Sequence, residues 1–410
     1  MTSTSTVQAE SQALLLRMLD PANRADPYPL YAQFRDRGPV LLPEANLAVF
    51  SAYRHCEEVL RHPLSSSDRL NSTIAQREIS NGIEQRPLGP PGFLFLDPPD
   101  HTRLRKLVSK AFAPKVVNAL QPDIGALVHG LLDRVDGQFD VIRDFAYPLP
   151  VAVICRLLGV PLEDEPQFSR ASARLAQALD PFVSITGQPE DGVEERRQAA
   201  LWLRDYLRGL IEQRRSHPGD DLMSGLVAVE EAGDQLTTEE IVATCNLLLI
   251  AGHETTVNLI ANAMLALLRH RPQWAALGGD AGRASAVVEE TMRYDPPVQL
   301  ASRIALDHMT IGEVEVPKGD IMMLLLAAAQ RDAEEFDRPD VFDPDRGTVR
   351  HLGFGLGAHY CLGAPLARLE ASVALAAVTA RFPNARLLDV EPQYKPNVTL
   401  RGLSELMVAV

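Results

Sequence analysis

Cysteine is scarce in this chain: Cys56, Cys155, Cys245 and Cys361 are the four found in 410 residues. Their number and scatter exclude a disulfide scaffold and fit a reducing compartment. Long apolar runs are missing as well. The longest conspicuous one, Ile321 to Ala329, has nine residues, where a membrane span needs about 18. The amino terminus, Met1 to Glu10, is polar and lacks the basic-then-apolar layout of a secretion signal. A soluble cytoplasmic protein without a membrane anchor is expected. Excess positive charge is also lacking, since 40 Lys and Arg face 54 Asp and Glu for a net −14. That balance argues against nucleic acid as a partner. With 46% hydrophobic and 23% charged residues, what remains is a globular chain able to bury a large core.

No internal repeat or low-complexity linker divides the sequence. Residues 1–20 read as a loose leader and 21–410 as a single domain. Val49 to Ala52 reads as a short strand, followed by a helix ending near Pro63. Helical periodicity dominates from Thr102 to His270. Beyond Pro296, short strand signals alternate with turns, including a hairpin over Met309–Val316 with Gly312 near its turn. A last helix follows Gly363. The expected fold class is mainly α with a minor β part.

One helix stands out. Thr237 and Glu240 suit a capping box, and the pattern they open runs until Pro272. Roughly 33 helical residues would span about 50 Å. The segment is apolar nearly all round, which marks a buried helix. Into its middle the sequence places Ala251-Gly252-His253-Glu254-Thr255-Thr256, and Glu254 is the only acid between Ile241 and Leu268. Two accounts are open. Gly252 admits another helix while Glu254 reaches a neighbouring Arg, or an acid beside a hydroxyl at a helix break relays protons into a dry pocket. A zinc-protease reading of His253-Glu254 fails, because its second His would stand at position 257, which is Val.

The second notable stretch is Gly353-Phe354-Gly355-Leu356-Gly357-Ala358-His359-Tyr360-Cys361-Leu362-Gly363. Its glycines permit tight backbone and close approach to a flat ligand. Cys361 sits where a helix begins, a position that favours the thiolate, which is the metal-binding form. A buried apolar cysteine, a phosphate loop and a zinc site are the alternatives. The third glycine of a dinucleotide fingerprint is missing, and no second cysteine lies at finger spacing. None of the three explains His359 two residues before the cysteine. A haem does, with one thiolate on iron and a nearby cation for the propionates.

The loop from Phe354 to Gly363 resembles the Phe-Gly-x-Gly-x-His-x-Cys-x-Gly signature of the cytochrome P450 superfamily, bacterial soluble type, without a departure. Ala251–Thr256 resembles that family's oxygen-activating helix, Glu290-Thr291-Met292-Arg293 its Glu-x-x-Arg, and His101-Thr102-Arg103-Leu104-Arg105 its propionate helix. The four stand in the family's order over about 260 residues. Gln330-Arg331-Asp332 through Phe336, Pro339, Phe342-Asp343 and Arg346 extend the likeness, with Gln330 where the family more often has Asn.

The resemblance implies a P450 fold with haem b between the long central helix and the cysteine loop. It implies Cys361 as the iron ligand, with Glu254 and Thr255 as the catalytic acid–alcohol pair. Cofactor contacts would come from Leu96, His101, Arg105, Ala251, Gly252, Arg303, Phe354, Gly355, His359 and Gly363. Walls of a substrate pocket would come from Leu248, Val298, Gln299, Leu300, Thr399 and Leu400, and from the Phe93–Leu96 region. Glu290, Arg293 and Arg346 would form a structural network. The activity implied is insertion of one atom of O2 into a small hydrophobic substrate. Electrons would come from NAD(P)H through a separate ferredoxin or flavodoxin and its reductase. A basic cluster, Arg103, Arg105, Lys106, Lys110 and Lys115, is the candidate docking face for that donor. A peroxide-driven peroxygenase and a non-catalytic haem-thiolate sensor are the alternatives, and the acid–alcohol pair argues against both.

Overall fold

The buried all-apolar helix is the axis of the molecule. The computed structural model describes residues 2–82, 89–177, 179–181, 185–186, 192–231, 236–388 and 391–410. Seven helices matter here: α1 (Thr2–Leu19), α2 (Asp100–Ser109), α3 (Pro148–Leu158), α4 (Glu165–Gln177), α5 (Thr238–Arg269), α6 (Ala284–Tyr294) and α7 (Ala364–Arg381). The capping box opens α5: Thr237 N donates to Glu240 Oε2 at 2.8 Å and Glu240 N to Thr237 Oγ1 at 3.3 Å. Over its 32 residues, Ile241, Leu249, Val257, Ile260 and Met264 are fully buried. α5 packs against α3, α6 and α7, with Phe93, Phe145, Trp274 and Phe354 in the same apolar cluster.

The β part is small. Its strands are β1 (Val40–Leu42), β2 (Leu47–Phe50), β3 (Ser65–Ser66), β4 (Gln138–Asp140), β5 (Leu300–Ala305), β6 (Met309–Ile311), β7 (Val314–Val316), β8 (Ile321–Leu325), β9 (Arg386–Leu387) and β10 (Met407–Ala409). One sheet has the order β1-β2-β8-β5-β3, with β2 and β8 parallel and the other pairs antiparallel. β8 lies between β2 and β5 and is buried from Met322 to Leu325. This is why Ile321–Ala329 reads as an unbroken apolar run. β4-β10-β9 form a second sheet, and β6-β7 the expected hairpin, Met309 facing Val316, with Gly312 at φ +57°.

Residues 2–19, read from sequence as a loose leader, form helix α1. Leu14, Leu15 and Met18 are buried against Tyr31, Phe34 and Val40. The early strand lies at Leu47–Phe50, two residues ahead of its expected start, and the helix after it is Tyr53–Arg61.

Candidate active site

The cysteine loop is closed by Cys361 N donating to Phe354 O at 2.8 Å, and Gly355 and Gly357 take the left-handed backbone at φ +68° and +69°. At Gly357 the need is double, because a Cβ there would also stand 2.7 Å from Leu60 O. Gly357→Ala is therefore expected to cost about 1–3 kcal/mol and to lower the haem bound per chain. Pyridine-haemochrome titration against protein concentration checks it, and full haem content with unchanged denaturation would refute it.

The N–H groups of Gly363 and Ala364, where α7 starts, donate to the Cys361 sulfur. Burial nonetheless pushes the thiol above its ordinary value, outweighing these donors and the charges of Arg105 and Arg368. The helix start thus favours the thiolate, as its place in the sequence suggests, while burial opposes it. Phe354 is clamped: the Arg368 guanidinium lies 4.4 Å over its ring. Arg368 itself grips Glu289 at 2.6 and 2.9 Å, and His351 lies 3.0 Å from the same carboxylate. Burial would raise Glu289, but these two partners overcome it and hold the acid at about 2.

Glu290, Arg293 and Arg346 meet. Arg293 donates to both Glu290 oxygens at 2.9 and 2.8 Å, and Arg346 Nε to Glu290 Oε2 at 2.9 Å. Arg293 also donates to the carbonyls of Gln330, Pro339 and Val341. Gln330 Oε1 in turn accepts Leu352 N at 2.9 Å, so the cysteine loop hangs from α6.

Beside the loop, α2 brings His101 and Arg105 together with Arg303 and His359. The His101 and His359 rings are 4.1 Å apart, and Arg105 donates to Tyr360 O at 2.5 Å. Both His101 nitrogens and His359 Nδ1 are buried without a hydrogen-bond partner among the described residues. Among the described residues, Arg303 donates only to its neighbour's carbonyl, Ser302 O. Burial lowers His101; burial and nearby cations hold His359 at about 3; burial takes Arg303 down to about 10. Asp97, whose field reaches His101 and Arg303, is engaged by Ser66, Ser67 and Asn71. A group bearing two carboxylates would satisfy these unpaired donors, so a haem fits this cradle.

On α5 the motif runs as continuous helix, without the expected break. Thr255 Oγ1 donates to Ala251 O at 2.9 Å and Thr256 Oγ1 to Gly252 O at 3.2 Å. A Cβ on Gly252 would lie 3.0 Å from Ile154, so the glycine admits α3, as the plainer account of it held. Ala251 is the exposed position of this turn. His253 is buried, with Nδ1 on Leu249 O at 2.7 Å and Tyr147 and Phe168 at its ring edges. Glu254 pairs with Lys395 at 2.6 Å, where a neighbouring Arg was expected.

Five of the candidate pocket walls lie side by side, Gln299 N donating to Thr399 O at 2.9 Å and Val298 bridging Leu400, with Leu300 next in the chain. Leu248 and Leu96 belong to the cluster around α5, which also includes Phe354 and Cys361. Leu300 is buried in the apolar cluster that includes Leu30, Tyr31 and Met323, and Gln299 faces a cavity of about 20 Å³ shared with Met18, Tyr31 and Arg401. Val298 packs with the opposite side of the sheet and bridges Leu400. Thr399 Oγ1 donates to Leu179 O at 2.9 Å. Of the basic cluster, Arg103 is spent on Asp100 and Glu240, while Lys106, Lys110 and Lys115 are exposed. Glu289, Arg368, His351 and Lys395 are the site neighbours that sequence reasoning missed, and no local motif marks them.

Among the described residues no helix is long and apolar enough to cross a membrane. The Cytochrome P450 family model matches residues 41–276 and 284–403. The chain is 67% identical to CYP164A2 of Mycobacterium smegmatis, covering 97% of this chain and 100% of that one. The TM-scores are 0.93 for the ligand-free structure and 0.94 for the econazole-bound one. It is 41% identical to the cytochrome P450 monooxygenase PikC of Streptomyces venezuelae, covering 94% of this chain and 91% of that protein. It is 40% identical to the vitamin D(3) 25-hydroxylase of Pseudonocardia autotrophica, covering 94% of each. With its cysteine loop and central helix in one apolar cluster, a cation cradle beside the loop and such relatives along its length, the chain belongs to the cytochrome P450 family and is a monooxygenase.

Proposed function

We propose that Cys361 ligates haem b and that Glu254 and Thr255 carry protons. The enzyme then inserts one oxygen atom of O2 into a small hydrophobic molecule by hydroxylation or epoxidation. The observation that carries the site assignment is the Cys361 sulfur receiving two backbone N–H groups beside Arg105, Arg303 and two histidines, His101 and His359, whose buried ring nitrogens find no partner among the described residues. Bound there, a haem would supply the iron at which dioxygen is activated, with Cys361 as its electron-donating thiolate ligand. His101, Arg105, Arg303 and His359 anchor its carboxylates. Phe354, held by Arg368, shields the sulfur from water. Thr255 Oγ1 has lone pairs left beyond its bond to Ala251 O and presents them at the exposed turn of α5. Glu254 Oε1, bonded to Lys395 Nζ, links that turn to solvent.

An apolar substrate is supported by Leu96 and Leu248 in the apolar cluster around α5, and by a relative whose name specifies vitamin D(3). Electrons come from a ferredoxin or flavodoxin with its NAD(P)H-dependent reductase. Exposed Lys106, Lys110 and Lys115 suit an acidic docking partner.

The test is turnover in a reconstituted reductase–ferredoxin system, using an apolar compound chosen by the ferric spin-state change it induces. Wild type is expected to form oxygenated product from O2. Thr255→Ala is expected to keep haem and substrate binding while losing ~10-fold or more of product per NAD(P)H to peroxide. Equal coupled yield in the variant would refute the role of Thr255, and no NAD(P)H-dependent product from wild type would refute the reading.

A further inference from the structure

The hairpin Tyr394–Leu403 touches two distant places at once. It is closed by Lys395 N donating to Gly402 O at 2.9 Å and by the bridge between Tyr394 and Leu403. On its inner side Gly402 lies on α5 so closely that a Cβ would overlap the Asn258 carboxamide, one turn beyond Glu254. That contact sets Lys395 over Glu254, where Nζ donates to Oε1 at 2.6 Å. Among the described residues, Lys395 is the one cation within ion-pair distance of this carboxylate.

On its outer side the same hairpin is tied to the end of α4 and the residues after it. The Asp180 carboxylate accepts Thr399 N at 2.8 Å and Val398 N at 3.1 Å. Thr399 Oγ1 donates to Leu179 O at 2.9 Å and Asn397 Nδ2 to Ala176 O at 3.2 Å. The two attachments, at 395 and at 397–399, are only about 7–13 Å apart along an extended chain. A displacement at one end therefore has little slack to be absorbed before it reaches the other.

We infer that Lys395 is a positioning residue for Glu254, and that the hairpin makes this pairing depend on the docking of Ala176, Leu179 and Asp180. The inference rests on the reading that Glu254 feeds protons to Thr255. A lone acid on an apolar helix has many rotamers and little to choose between them. One ammonium held by a closed hairpin selects a single direction. Partly exposed itself, Lys395 also keeps that carboxylate in touch with water. Proton supply is then best when the chain after α4 is seated on the hairpin, and it weakens when that segment lifts.

The experiment compares Lys395→Met, Lys395→Arg, Asp180→Ala, Lys395→Met with Asp180→Ala, and Glu254→Gln in the reconstituted system. Product and peroxide per NAD(P)H are measured, with econazole titration as the check that the pocket is intact. Lys395→Met is expected to lower product per electron ~5-fold, peroxide taking the balance. Econazole affinity should be unchanged and Lys395→Arg should restore most of the yield. Asp180→Ala is expected to show part of the same loss and to add nothing to Lys395→Met, as sites acting through one another do. Wild-type coupling in Lys395→Met while Glu254→Gln uncouples would overturn the role of Lys395. Additive losses with Asp180→Ala would overturn the hairpin link. Wild-type coupling in Glu254→Gln would instead sink the reading of Glu254 itself.

Discussion

Cys361→Ser is expected to reduce product formation by about three orders of magnitude, ~4 kcal/mol of transition-state stabilisation, with the chain still folded. The sulfur is replaced by an oxygen of similar reach, so packing changes little and the loss reports the ligand rather than a cavity. The loop has independent supports. Phe354 is held by Arg368 and Glu289, Leu352 by Gln330, and the turn by Cys361 N, which the substitution retains. Far-ultraviolet dichroism and the denaturation midpoint should therefore stay near wild type. The carbon-monoxide difference spectrum of the reduced protein should lose its thiolate character. An unaltered difference spectrum, or product at the wild-type rate, would remove Cys361 from the iron.

What the sequence shows well is what short-range chemistry decides. Thr237 and Glu240 name the start of α5 because a capping box needs only residues three apart. Gly312 marks the β6-β7 turn, and Gly363 stands just before α7, for the same local reasons. The cysteine loop is legible because one ligand demands several residues within eleven positions. What the sequence hides is pairing across the fold. Glu254 announces a buried charge, yet nothing near it says that the partner is Lys395, 141 residues on, delivered by a hairpin. Gly252 announces a close approach, but nothing near it names Ile154 as the neighbour. Leu300 follows a strand signal correctly, but the faces of β5 are set by its register with β8, which no local pattern announces. The residues read as a leader fail for a related reason: Leu14, Leu15 and Met18 gain order only from the sheet side they cover.

Arg293→Ala is expected to be the most destabilising single change, at about 3–5 kcal/mol. Both partners of the ion pair are fully buried, 0% exposed, and Arg293 satisfies three carbonyls besides the carboxylate. Removing the guanidinium strands Glu290 in the core, where Arg346 Nε and Asp343 N cover only part of its need. Lysine would not rescue it, since a point charge cannot reproduce the two parallel bonds to Glu290 and the three to Gln330, Pro339 and Val341. The consequence reaches the iron site by a traceable route. Gln330 loses a donor at its carbonyl while its side chain holds Leu352, and a Cβ on Gly353 would stand 2.8 Å from Met292 O, so the loop has no room to resettle. Chemical denaturation should show the loss of stability, and haem per chain should fall with it. Changing Glu290 to Gln as well is expected to recover part of the loss, because the stranded charge is then gone. A double variant no more stable than Arg293→Ala would mean that the three carbonyls, not the carboxylate, dominate the role of Arg293.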